Sequence, residues 1–105
     1  MEDDKDLQPL SEVEISENLT ILPGWQFEKN KITKTFEFPN FSDGIFLLSH
    51  LAPFCNKIDH HPDVIINYKK IRFELTRFSI GGKVTERDFT IAQKIESLYQ
   101  RFFVI

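Results

Sequence analysis

The sequence predicts an α+β protein in which a four-stranded antiparallel sheet carries three helices on one face, as a two-layer sandwich. Three observations predict it. Two stretches show the apolar–polar alternation of strands, and each is predicted to contain two short strands. Apolar residues three and four positions apart recur between and after these stretches, as in amphipathic helices, and a capping motif before them predicts a further short helix. The length of 105 residues is that of one domain. The predicted order is therefore α-β-β-α-β-β-α.

The chain opens with a charged segment and a short helix. Residues 1–10 are acidic and poor in apolar side chains, so we expect a disordered acidic tail followed by a single domain over residues 11–105. Ser11 and Glu14 have the spacing of a capping box, which predicts a helix from Ser11 to about Leu19.

The first hairpin follows the turn signal at Pro23-Gly24. Residues 25–28 alternate in polarity, Asn30 occupies a predicted turn, and alternation resumes from Ile32 to Phe38. Pro39 ends this second strand because proline cannot donate to a sheet ladder.

The second helix is predicted to begin at Ser42-Asp43-Gly44. One buried stripe is predicted from the spacing of Phe41, Ile45, Leu48, Ala52 and Cys55. Pro53 lies inside the helix and lacks an amide hydrogen, so we expect it to bend or split the helix near Ser49.

A second hairpin and a last helix complete the fold. Strands are predicted at Val64–Tyr68 and Ile71–Thr76, and Gly81-Gly82 supplies the next turn. Thr85 and Asp88 have the spacing of a capping box, with Asp88 reaching back to the Thr85 amide. The buried face of the helix is predicted to contain Ala92, Ile95, Leu98 or Tyr99, and Phe102.

Composition excludes several classes of function. The net charge of −3 and the pI near 5.6 argue against a protein that binds nucleic acid directly, which needs a basic face. A single cysteine, Cys55, cannot form an intrachain disulfide. The sequence has no apolar run of about 18 residues and no signal peptide at its start, so we expect a cytoplasmic protein that does not bind membranes.

The sequence gives little indication of a metal site or of a nucleophilic cysteine. His60 and His61 are adjacent, which places their rings on different sides of the backbone, and no histidines have the i, i+4 spacing of helical zinc ligands. We therefore predict no metal site. Cys55 lies on the predicted core stripe, which favours a buried structural thiol over a reactive one.

The pair His60-His61 is the strongest candidate for chemistry. Histidine titrates near neutral pH and can act as an acid or a base without a cofactor. Pro62 restricts the backbone of His61, and Asp59 could hold a ring nitrogen and so select a tautomer. From the pair alone, two solvated loop histidines remain the alternative interpretation.

Further motifs give this pair a context. Asp-His-His-Pro-Asp at 59–63 is followed by Tyr68 and by Thr-Glu-Arg-Asp at 85–88. Upstream, Pro-Gly-Trp at 23–25 and the aromatic pattern Phe-x-Phe at 36–38 precede it. Together these motifs resemble the pterin-4a-carbinolamine dehydratase family, and the resemblance covers the chain from about residue 19 to residue 98.

The resemblance implies a hydro-lyase that converts 4a-hydroxytetrahydropterin to quinonoid dihydropterin and water, without cofactor or metal. The implied proton-transfer residues are His60 and His61. The implied substrate contacts are Asp59, Thr76, Arg77, Phe78 and Ser79, and the implied supporting residues are Trp25, Pro62 and Asp88. We expect Trp25 to be a core aromatic residue and Asp88 to cap the last helix. Tyr68 is expected to pack against a neighbouring strand.

Two positions depart from the family pattern. Phe78 stands where the family has a third histidine, and Asn56 stands where many members have a glutamate. A phenyl ring cannot transfer a proton, so the resemblance implies a slow dehydratase. The alternative is a non-catalytic family member that dimerises or binds pterin, of the transcription-cofactor or molybdopterin-associated kind. In either case the family and the exposed edge of a small sheet imply a homodimer or homotetramer.

Overall fold

The computed structural model describes residues 8–77 and 80–104. Its elements follow the predicted order. They are α1 (Glu12–Leu19), β1 (Gln26–Glu28), β2 (Lys31–Glu37), α2 (Phe41–Ile58), β3 (Asp63–Asn67), β4 (Lys70–Leu75) and α3 (Glu86–Phe103). The predicted α+β class with four antiparallel strands and three helices is confirmed. The predicted capping box of α1 is present, with Ser11 and Glu14 bonded reciprocally.

The sheet has the strand order β1-β2-β4-β3, so the two hairpins meet where β2 pairs with β4. The turn of the first hairpin has positive φ at both Lys29 (51°) and Asn30 (62°), which suits the right-handed twist of paired strands. In the central pairing, Ile32 lies opposite Leu75 and Phe36 opposite Ile71. These side chains share one face of the sheet because alternate residues point to the same side.

The hydrophobic core fills the layer between this face and the helices. Its fully buried members include Ile32, Leu47, Phe73, Leu75, Ile91, Ala92 and Ile95. Phe36 contacts Phe73 edge to face, with ring centroids 5.7 Å apart. Lys34 shares this face, and its Nζ lies 2.5 Å from Oε2 of Glu96 on α3. An ion pair therefore occupies the one charged position on the inner face of β2.

The buried stripe of α2 differs from the predicted one. The buried residues are Gly44, Leu47, Leu51 and Cys55, whereas Phe41 and Ile45 are 48% and 41% exposed. Only Cys55 of the predicted stripe is buried, with Leu48 half-buried and Ala52 exposed. Both sides of α2 are apolar, so periodicity could not choose between them. Gly44 decides the packing, because a Cβ there would lie 2.9 Å from Cδ1 of Ile71; its absence lets the helix approach the sheet.

The expected interruption by Pro53 is not a split. Helix α2 continues from Phe41 to Ile58 with Pro53 inside it, and it begins one residue before the predicted start. Asn40 caps it by accepting a hydrogen bond from the Asp43 amide at 2.8 Å. Pro53 is exposed, so its ring meets solvent rather than the core, and packing of the opposite side holds the helix together.

Tyr68 also departs from prediction. Strand β3 ends at Asn67, and Tyr68 lies in the following turn with φ of 55° and 67% exposure. It therefore does not pack within the sheet. Within residues 8–77 and 80–104, none of the helices has the length and apolar character required to cross a bilayer.

We predict that Pro53→Ala stabilises the protein. Alanine restores an amide hydrogen to the interior of α2, and proline costs about 3 kcal/mol there relative to alanine. Part of this gain is offset because proline also restricts the unfolded chain, so we expect about 1–2 kcal/mol. The measurement is the urea midpoint at one fixed protein concentration. Ser97→Ala, at an exposed position of α3, is the control and should change stability by less than about 0.5 kcal/mol. A lower midpoint for Pro53→Ala would contradict this prediction.

Candidate active site

The histidine pair follows directly from the end of α2. Asp59 ends the helix in the left-handed conformation, with φ of 54°. The amide of His60 then donates to the Cys55 carbonyl at 3.1 Å, which closes the C-terminus of the helix. The chain therefore turns sharply at Asp59, and His60 points back toward the body of the protein.

His60 is buried and bonded to a buried carboxylate. Its Nε2 lies 2.5 Å from Oδ1 of Asp88, and the two side chains are 6% and 0% exposed. The other oxygen of Asp88 accepts the Thr85 amide at 2.8 Å, so this carboxylate also caps α3 as predicted. Because an ionised carboxylate only accepts hydrogen bonds, Nε2 of His60 carries the hydrogen. The carboxylate that orients this ring is that of Asp88, rather than Asp59 as the sequence suggested.

The second ring nitrogen of His60 faces an arginine. Nη1 of Arg77 lies 3.4 Å from Nδ1 of His60. The backbone of Arg77 is fixed, since its amide donates to the Lys83 carbonyl at 2.9 Å and its carbonyl accepts the Gly82 amide at 3.0 Å. A carboxylate and a guanidinium therefore lie at opposite nitrogens of one imidazole.

His61 has different surroundings. It is exposed, and its Nε2 lies 2.9 Å from Oδ1 of Asn56, one turn back in α2. The amide oxygen accepts, so Nε2 carries a hydrogen, and Nδ1 is the ring nitrogen left for other contacts. His61 also lines a groove of about 380 Å³ between α2 and β3, whose other lining residues are Leu48, Leu51, Ala52, Cys55, Pro62, Val64 and Ile66. A mainly apolar groove with one imidazole at its wall could hold a flat ring.

The remaining predicted site residues differ in burial, and two of them are not described by the structure. Thr76 is buried, and its hydroxyl donates to the Asn30 carbonyl at 2.8 Å, so it anchors the first hairpin turn. Asp59 is exposed, at the left-handed cap of α2. Phe78 and Ser79 lie outside the described residues.

Trp25 is a core residue, as expected. It is 5% exposed, its indole donates to Oε2 of Glu96 at 2.8 Å, and its ring meets Phe36 edge to face. Its fixed indole hydrogen bond favours a supporting role over contact with a ligand.

Two further residues support the loop. Asn56 was noted in the sequence only as a departure from the family, and its contact with His61 gives it a local function. Arg87 donates to the Ile58 carbonyl at 3.1 Å, which links α3 to the end of α2. The five-residue spacing of Asn56 and His61 could have suggested the first contact, but nothing local in the sequence indicates the second. Among the described residues, no three histidine, cysteine, aspartate or glutamate side chains form a group able to hold a metal ion.

A separate charged hollow of about 390 Å³ lies on the opposite face of the sheet, lined in part by Glu28, Lys31, Arg72 and Glu74. Apart from Lys29, the charged residues that line it pair with one another: Arg72 binds both Glu28 and Glu74 at 2.9 Å, and Lys31 binds Glu74 at 3.0 Å. The hydrogen bond from Arg72 lowers the pKa of Glu74. This internal pairing leaves the hollow a weaker candidate than the histidine loop.

Comparison with known proteins decides the family. Residues 8–98 match the family described as pterin 4 alpha carbinolamine dehydratase. The chain belongs to that family. A relative from Sulfolobus acidocaldarius whose name places it in the dehydratase family is 40% identical over 89 residues, which cover 85% of this chain and 97% of the relative. A similarly named protein from Chloroflexus aurantiacus is also 40% identical, over 85% of this chain and 95% of its own length.

Solved structures agree with the family assignment. A transcriptional coactivator/pterin dehydratase from Brucella melitensis superposes with a TM-score of 0.82 and 32% identity, covering 87% of this chain and 98% of its own. A pterin dehydratase-like protein identified as a RuBisCO assembly factor in the alpha-carboxysome gives a TM-score of 0.56 at 19% identity, covering 70% and 84% of the two chains. This second likeness concerns the fold alone.

We predict that Cys55 is unreactive in the folded dehydratase-family protein. Burial raises the pKa of its thiol from 9.0 to about 11, so at pH 8 the thiolate is roughly a hundredfold scarcer than in the unfolded chain. Iodoacetamide should therefore modify the native protein at least about a hundredfold more slowly than the urea-unfolded protein, with the native rate still rising above pH 9. Equal rates at pH 8 would contradict the burial of this thiol.

Proposed function

We propose that this protein dehydrates a 4a-hydroxytetrahydropterin to the quinonoid dihydropterin, with His60 and His61 as the proton-transfer groups. The observation that carries the proposal is the buried contact between His60 and Asp88, next to an exposed His61, in a member of the dehydratase family. The reaction removes a proton from one ring nitrogen of the pterin and a hydroxyl group from the adjacent carbon.

His60 is suited to accept the proton. With Nε2 bound to Asp88, its Nδ1 is the nitrogen that can receive a proton from the substrate. The imidazolium that then forms is stabilised by the adjacent carboxylate, in the manner of a histidine–aspartate pair in acyl-transfer enzymes. Because Asp88 is already fixed to the amide of Thr85, the pair is oriented before substrate binds.

His61 is suited to contact a pterin that lies in the groove. Asn56 holds its Nε2, so the ring nitrogen left for other contacts, Nδ1, can accept a hydrogen bond from the pterin or exchange a proton with it. The apolar wall beside it offers a surface for the flat ring. We assign substrate contacts also to Asp59, Arg77, Phe78 and Ser79, and supporting roles to Trp25, Pro62 and Asp88. Thr76, which the resemblance implied as a substrate contact, is buried and bonded to Asn30, so we assign it a supporting role as well.

The test is a stopped-flow assay of dehydration. His61→Ala and His60→Gln should each lower the rate about 10²–10⁴-fold, the usual contribution of a general acid or base. Glutamine at position 60 keeps a hydrogen-bond donor for the buried carboxylate of Asp88, so we expect this variant to stay folded. His50→Ala is the matched control and should leave the rate unchanged, since His50 is exposed on α2 and stacks on Phe46. A wild-type rate equal to that of buffer would refute the enzyme; unchanged rates in both loop variants would refute the histidine assignment.

The second candidate is a non-catalytic family member that binds pterin or dimerises. It is favoured by Phe78, which replaces a proton-transfer group, and by the broad exposed apolar surface described next. The same assay separates the candidates: pterin binding with no acceleration over buffer would support this one. We place the protein with the dehydratases because the buried pair of His60 and Asp88 is intact.

We also propose self-association through two surfaces. Strand β3 forms one edge of the sheet and is exposed throughout, with Val64, Ile65 and Ile66 at 38–47% exposure. An unpaired edge of this kind can pair with another strand. The second surface is the exposed stripe of α2 formed by Phe41 and Ile45, which lie one turn apart and outside the groove lined by Leu48 and Ala52. Use of one surface gives a dimer, and use of both gives a tetramer.

Sedimentation of variants tests these surfaces. Ile45→Glu places a charge in the α2 stripe, and Ile65→Lys places one on the β3 edge; each should remove one level of assembly, and together they should give a monomer. Ser49→Glu, on an exposed position of α2 outside the stripe, is the control. A wild-type protein that is monomeric at micromolar concentration would contradict the proposal.

A further inference from the structure

We infer that Arg77 is a catalytic residue of the proposed dehydration, and that its guanidinium binds the oxygen of the departing hydroxyl group. This inference rests on the proposed function. Two groups converge on one point: Nη1 of Arg77 and Nδ1 of His60 lie 3.4 Å apart, and Nδ1 is the ring nitrogen that Asp88 leaves available.

The spacing suits an oxygen atom shared by the two groups. A separation of 3.4 Å is at the long limit of a hydrogen bond, so the direct contact is weak. An oxygen about 2.9 Å from both nitrogens completes a triangle with this separation as its base. Such an oxygen would accept from Arg77 and, once Nδ1 has taken the substrate proton, from the imidazolium of His60 as well. A departing hydroxyl oxygen has lone pairs for both.

The fold fixes the backbone of Arg77, so its long side chain begins from a defined position. Its backbone amide and carbonyl are both bonded across the turn that follows β4, to Lys83 and Gly82. Its side chain is half-buried, as is usual for a guanidinium that acts within a site rather than in bulk solvent. On the other side of His60, Asp88 is fully buried and prevents the ring from turning away.

The chemistry follows from the permanent charge of arginine. A guanidinium stays protonated, so Arg77 does not act as an acid; it stabilises the negative charge that develops as the carbon–oxygen bond breaks and the electron pair stays with oxygen. The electron pair of the adjacent N–H bond forms the new carbon–nitrogen double bond, and its proton passes to Nδ1 of His60. His60 then returns that proton to the hydroxide, which leaves as water, so the enzyme ends in its initial state.

The role of Arg77 also bears on position 78, where phenylalanine replaces the family's third histidine. With charge stabilisation by Arg77 and proton transfer by His60 and His61, the elimination needs no histidine at position 78. The sequence implied that phenylalanine weakens the site; the preceding arginine compensates for it.

Chemical rescue tests the inference. Arg77→Ala should lower kcat about 10²–10³-fold, the usual loss for one group that stabilises a developing oxyanion. Millimolar guanidinium chloride should restore at least tenfold of that loss, whereas sodium chloride at the same ionic strength should not, because only a planar donor can occupy the vacated site. Arg77→Lys should lie between wild type and Arg77→Ala, since a point charge replaces only part of the fork. Arg101→Ala, at an exposed position on the last turn of α3, should keep the wild-type rate.

The outcomes separate the two proposals. An inactive wild-type protein refutes the dehydratase itself. An active wild-type protein whose Arg77→Ala variant keeps its rate within threefold, or loses it without rescue by guanidinium, refutes the role of Arg77 and leaves the dehydratase standing. Circular dichroism of each variant checks that it is folded, and Arg77→Gln, which preserves bulk and one donor, should show the same loss if Arg77→Ala is unfolded.

Discussion

One buried carboxylate organises this molecule. Asp88 accepts the Thr85 amide with one oxygen and the ring of His60 with the other, and it has no exposed surface. A buried carboxylate is costly unless its hydrogen bonds are made, so both contacts must form together. The beginning of α3 and the loop after α2 are thereby held in one arrangement, although 28 residues separate them in sequence.

This arrangement gives the two histidines different surroundings. His60 is enclosed between Asp88 and Arg77, whereas His61 faces outward and is held by Asn56 beside the apolar groove. Adjacent residues in an extended loop point in different directions, so a shared position in sequence does not produce a shared environment. One imidazole lies within a fixed polar cluster, and the other lies at an open surface.

The exposed apolar surface of α2 follows from the two-layer architecture. A helix of 18 residues with apolar side chains on two sides can bury only one of them in a two-layer fold. Gly44 lets one side approach the sheet, and the other stays exposed beside the equally exposed strand β3. Contiguous exposed apolar side chains mark interaction surfaces, which is why we connect this one to self-association.

The sequence by itself determined the order of the elements, the two hairpins, the capping residues of α1 and the candidate histidine loop. All of these depend on local periodicity, turn residues and short motifs, which adjacent residues specify. The tertiary structure alone decided which stripe of α2 is buried and which carboxylate meets His60. It also brought Arg77 to Nδ1 of that ring. These are contacts between segments far apart in the chain, where several residues of the right type compete and only packing selects among them. Asp59 and Asp88 were both plausible partners for a histidine, and the left-handed turn at Asp59 sends His60 toward Asp88.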